Sequence, residues 1–95
     1  MKQFLILHYG FETPTPEIMA KWGKWFQSIA DKEVDKGHLP SGREISDSGV
    51  KELPLAKDSI TGFNIIKAEN LDEAEKIAKN CPYIDSIRVY EIMKM

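Results

Sequence analysis

The chain has 95 residues and a net charge of −2, from 13 basic and 15 acidic side chains interspersed along its length; 42% of it is hydrophobic and 29% charged. Those figures describe a single soluble domain, residues 1–95, with a modest core, and they exclude both a basic stripe for nucleic acid and an acidic tail. No apolar run approaches the ~20 residues that cross a bilayer, and the start of the chain lacks the pattern of a signal peptide. The one cysteine, Cys81, forbids an internal disulfide. A cytoplasmic protein with neither membrane nor nucleic-acid partner is expected.

Gln3 to Tyr9 reads as a strand that is apolar on both faces (Phe4, Leu5, Ile6, Leu7). A loop from Gly10 to Pro14 leads to a helix start: a Thr15 cap, Pro16 at the first helical position and Glu17 in the first turn. Ile18, Trp22, Trp25, Phe26 and Ile29 form its apolar stripe, and Lys36-Gly37 resembles a helix end, so the helix is expected to run to that point. His38 to Ile45 is expected to be a second strand, at a sheet edge because it contains Pro40. Ser46-Asp47-Ser48-Gly49 is a turn, and Val50 to Asp58 a variable connection. Ser59 to Ala68 is a third strand. Asn70 then caps a second helix, with Glu73 completing a capping box. Leu71, Ala74, Ile77, Ala78 and Cys81 share its apolar face, Pro82 stops it, and Ile84 to Met93 is the fourth strand. Cys81 is therefore read as core and not as a reactive thiol.

The order β-α-β-β-α-β is the split pattern of a ferredoxin-like α+β fold, with both helices on one face of an antiparallel sheet. The other face would then carry an exposed apolar patch. A second copy, packed sheet to sheet about a two-fold axis, is its simplest cover.

Several segments in order and at matching spacing resemble the YCII-related family, in the branch named for an Asp-Gly-Pro-Phe motif. They are Lys2 to Leu7 with Gly10; Lys21-Trp22 and Trp25; Lys36-Gly37-His38-Leu39; Ser41 to Ile45; Leu71 to Ala74 through Asn80-Cys81-Pro82; and Arg88 to Met93. The resemblance implies a small, mostly bacterial, homodimeric protein of the dimeric α+β barrel superfamily. Two departures stand out. The naming motif is reduced to Glu52-Leu53-Pro54-Leu55. Some members of the wider family are similar to enzymes that use a His-Asp pair, with the His near the start of the first helix. Here that stretch reads Glu17 to Trp22 without a His, so the pair does not carry over.

His8 ends the central first strand in phase with Phe4 and Ile6, where an imidazole suits a base or ligand-binding group; the plainer alternative is a hydrogen-bonded structural His. His38 follows a turn and is expected to be solvated. Trp22, Trp25 and Phe26 fit a core or an aromatic pocket wall. Ser41 and Arg43 suggest an anion clamp, against the alternative of an exposed edge. Arg88 and Tyr90 belong to the helix-free face. No phosphate loop, nucleophile motif, paired carboxylates or metal-ligand spacing occurs, so neither cofactor nor metal is expected. Two functions remain: a pocket for a small, partly apolar anion near His8, Trp22, Ser41 and Arg43, or a cofactor-independent lyase or isomerase with His8 as base and Arg43 holding the substrate.

Overall fold

The computed structural model describes residues 1–95. Strand β1 (Lys2–Tyr9), helix α1 (Pro16–Ile29), strands β2 (Glu33–His38), β3 (Ser41–Ser46), β4 (Gly49–Pro54) and β5 (Ile60–Ala68), helix α2 (Leu71–Lys79) and strand β6 (Ser86–Ile92) follow in order. Four of the strands form an antiparallel sheet ordered β2-β5-β1-β6, and β3 and β4 form a separate hairpin. With both helices on one sheet face, this is the α+β, ferredoxin-like βαββαβ arrangement with a hairpin inserted between its second and third sheet strands.

Alternation explains the core. Phe4 and Ile6 of β1 and Ile66 and Ala68 of β5 point to the helices and are buried. Leu5 and Leu7 point the other way, opposite Ile65 and Phe63 of β5, and stay half-buried beside Tyr90 of β6. The two helices meet the sheet differently. Helix α2 presents Ala74 and Ala78 and comes close to β6, β5 and β1. Helix α1 presents Trp22, Trp25, Phe26 and Ile29, and these bulky side chains hold it farther away. Both N-caps form as expected: Thr15 Oγ1 accepts from Ile18 N–H at 3.2 Å, and Asn70 Oδ1 from Glu73 N–H at 2.9 Å. The Glu73 carboxylate reaches back to Glu69 N–H. Leu71, assigned to the apolar face of α2, is instead half exposed in its first turn.

Two sequence expectations need correction. Helix α1 ends at Ile29, well before Lys36-Gly37. Ile29 is the last stripe residue that can reach the core, and from there Glu33 to His38 gains more by pairing with the open edge of β5. Gly37 is thus a strand residue. A Cβ at that position would run into the Phe63 ring, which lies across it. The second correction concerns the strand expected over His38–Ile45. The chain leaves the sheet at Leu39-Pro40, and Ser41–Ser46 pairs with Gly49–Pro54, which had been taken for irregular connection. The expected turn does join them, with Gly49 at φ +124°. Every residue of this hairpin is exposed.

Strand β2 carries a bulge. Glu33 lies opposite Ile66, Asp35 opposite Ile65 and Lys36 opposite Asn64, which leaves Val34 as the extra residue. Glu33 and Lys36, three apart, consequently face the same side, that of the helices.

Candidate functional site

Where α1 stands off the sheet, a cavity of about 760 Å³ opens between the helix, the C-terminal end of β1 and the neighbouring parts of β5 and β2. Trp22, Phe26, Ile18 and Met19 wall it from the helix, and Phe11 and Ile84 contribute from the loops. Its sheet side carries the polar groups: His8 from β1, Asn64 from β5, and Lys36 and His38 from β2. Gly10, at φ +98°, turns the chain over this end of the sheet so closely that a side chain would collide with Asp85 and with the carbonyl of Lys57.

Three of the side chains form a line across adjacent strands. His8 Nε2 lies 2.6 Å from Asn64 Oδ1, and Asn64 Nδ2 donates to Glu33 Oε2 at 2.7 Å. The other Glu33 oxygen faces Lys36 Nζ at 3.9 Å, and that ammonium lies 5.0 Å from the centre of the Phe26 ring. Asn64 is 2% exposed, so its amide hydrogen bonds are largely shielded from bulk water. His8 Nδ1 is buried and has no partner. Burial lowers the His8 pKa below its ordinary 6.5, and the Asn64 bond opposes that shift in part. Edge-on aromatic contacts complete its surroundings: Trp22 at 5.3 Å and Trp25 at 6.0 Å between ring centres. Trp25 Nε1–H donates to the Ile77 carbonyl at 3.0 Å, which ties that indole to α2. Trp22 makes no hydrogen bond and is held by packing alone.

Of the residues singled out in the sequence, His8 and Trp22 come together here. Trp25 and Phe26 join them, Trp25 as core and Phe26 as wall. Ser41 and Arg43 do not. They sit on the β3–β4 hairpin, where Arg43 Nε meets Glu52 Oε1 at 3.0 Å with both side chains exposed. The break at Leu39-Pro40 carries them away from the sheet. Lys36 supplies the positive charge at the cavity instead, and His38 adds a ring at the exposed rim. Asn64, Glu33 and Lys36 escaped sequence reasoning. Asn64 had left a sign, as a lone amide in phase with the core-facing Ile66 and Ala68 of an apolar strand. Glu33 and Lys36 had none, because both were assigned to the end of α1.

Cys81 is buried at the end of α2, and burial pushes its thiol pKa up to about 11. No group of three His, Cys, Asp or Glu side chains is placed to hold a metal ion. No helix is long and apolar enough to cross a membrane.

The family model described as the YCII-related domain matches residues 3–95. No curated protein matches the chain. A solved structure, that of 5-chloro-2-hydroxyhydroquinone dehydrochlorinase (TftG) from Burkholderia phenoliruptrix AC1100 in complex with 2,5-dihydroxybenzoquinone, is similar with a TM-score of 0.59. The two sequences are 18% identical, and the match covers 96% of this chain and 93% of that one. At this identity the likeness establishes the shared fold.

Proposed function

This chain belongs to the YCII-related family, and from that premise we propose that it binds a small, partly apolar anion in the cavity between α1 and the sheet. The observation that carries the proposal is the hydrogen-bonded line from His8 through Asn64 to Glu33, set against an aromatic wall with Lys36 beside it. Small-molecule sites have this composition: mostly apolar, with a few convergent polar groups. Trp22 and Phe26 take the apolar part, and Lys36 takes the charge that the sequence had pointed to Arg43 to hold. A thermal-shift screen of small aromatic and aliphatic acids tests this. Against the best hit, Lys36→Ala should weaken binding by roughly 1.5–3 kcal/mol, the range for hydrogen bonds to charged groups. Arg43→Ala should leave binding unchanged. No acid binding at this cavity, or equal affinity in Lys36→Ala, would reject the proposal.

One observation favours a second function. His8 Nδ1 has no hydrogen-bond partner, and an uncommitted imidazole nitrogen suits a general base in a cofactor-independent lyase or isomerase. The structurally similar TftG is named a dehydrochlorinase. Turnover of a bound acid that disappears in His8→Gln while binding persists would select this function over simple binding.

We further propose that two copies associate through the helix-free sheet face. Leu5, Leu7, Phe63 and Ile65 would otherwise remain half-covered on a surface without a partner element.

A further inference from the structure

The amide of Asn64 stands between an acceptor that cannot donate and a ring that can do either. Glu33 offers it only carboxylate oxygen, 2.7 Å away, so the Asn64 NH2 must turn toward β2. Reversing the amide would set two oxygens against each other at that distance. Its carbonyl oxygen is thereby left facing His8 at 2.6 Å, where Nε2 has to donate. The proton of a neutral His8 is then on Nε2, and the lone pair is on Nδ1, the atom with no partner. We propose that Glu33, acting through Asn64, is a positioning residue that holds His8 as its Nε2–H tautomer. Nδ1 then becomes the atom with which the site accepts a hydrogen bond or a proton from a weakly acidic O–H or N–H of its ligand.

This rests on the ligand-binding function proposed above and adds the class of group that the ligand must carry. His8 can act as an acceptor or a base, but its Nε2 proton is committed to Asn64. If the proton transfers, the ligand's O–H or N–H bond breaks, its electron pair stays on the ligand atom, and an N–H bond forms at Nδ1. The resulting imidazolium faces Glu33 through Asn64, and the new anion lies beside its Nδ1–H. The remaining ionisable groups around the cavity are His38 on β2 and Glu12 before α1; α1 itself contributes only apolar and aromatic walls. Nδ1 is closed to solvent, and Trp22, 5.3 Å from the His8 ring, is the cavity-wall side chain beside it. That indole has no hydrogen bond to hold it, whereas Trp25 is tied to Ile77.

Nitrogen-15 NMR of the imidazole, recorded without ligand above the titration of His8, reads the tautomer directly. The wild type should show one form, with Nε2 protonated and Nδ1 bare. Glu33→Gln frees the Asn64 amide to adopt either orientation, and both tautomers should appear. Asn64→Asp combined with Glu33→Gln reverses the donor order between positions 33 and 64 while keeping an acceptor-only oxygen at His8, so the single Nε2–H form should return. A general loss of stability would not produce this loss and recovery. A wild type with Nδ1 protonated or with mixed tautomers would overturn the inference, as would a Glu33→Gln spectrum identical to that of the wild type. Because these spectra involve no ligand, a failed acid screen would reject the binding function and leave this result standing.

Discussion

At the scale of single residues, His8 and Cys81 show how burial alone sets chemistry. The folded chain holds His8 with a pKa below 6.5, the value expected once it is unfolded. The unfolded state therefore binds more protons in the interval between those two values, and folding stability must fall as pH drops through it. Above 6.5 this contribution is fully present. Urea midpoints compared at neutral and mildly acidic pH should show the decline, and His8→Gln should flatten it. Gln is a fair substitute because its NH2 can still donate to Asn64 Oδ1. A decline of equal size in the variant would place its origin elsewhere. For Cys81, a thiol pKa of about 11 and a core position leave almost no thiolate near neutrality. Native protein should resist iodoacetamide at slightly alkaline pH, and urea-unfolded protein should react at once. Fast labelling of the native state would contradict the burial.

At the scale of elements, what the sequence disclosed depended on whether the signal was local. Helix α2 was readable from Asn70 to Pro82 because cap, stripe and stop all lie within it. His8 and Trp22 were readable for the same reason, through strand alternation and helical spacing. The end of α1 was not, because Lys36-Gly37 imitates a helix stop while the decisive partner, β5, lies about thirty residues away. That error hid Glu33 and Lys36. It also left Arg43, a residue of the right type, as the apparent cation. Strand β4 was obscured by Pro54 and by the absence of any buried face. The close fit of Gly37 under Phe63 gives a direct check on the corrected β2. Gly37→Ala should destabilise the fold by about 1–3 kcal/mol through overpacking. Were position 37 a helix cap instead, Phe63→Leu would give no relief; with the ring overhead, the double variant should be less destabilised than the sum of the singles.

At the scale of the whole molecule, the chain is a flat slab, 41 × 40 × 18 Å, thin because one sheet face carries no layer. A second copy on that face would double the layers and cover Leu5, Leu7, Phe63 and Ile65 together. Stable obligate interfaces commonly bury ~2,000 Å² or more in total. Light scattering at micromolar concentration should therefore give twice the chain mass. Leu7→Lys, opposite Phe63 at the middle of the face, should give the single chain mass, because an unpaired charge buried in such an interface costs several kcal/mol. A single-chain mass for the wild type would dismiss the dimer.

The bulge at Val34 makes the pocket depend on the parity of a strand. In an unbroken strand, positions 33 and 36 fall on opposite sides of the sheet. One surplus residue puts the relay carboxylate and the cation on the same side. Deleting Val34 would remove only the surplus residue: Glu33, Asp35 and Lys36 could keep their places opposite Ile66, Ile65 and Asn64, with both site side chains still on the helix side. The chemistry of the site is thus tied to the paired register of this edge and not to the number of residues that separate Glu33 from Lys36. A relative with a regular second strand would need the same two side chains two residues apart, where this chain has them three apart.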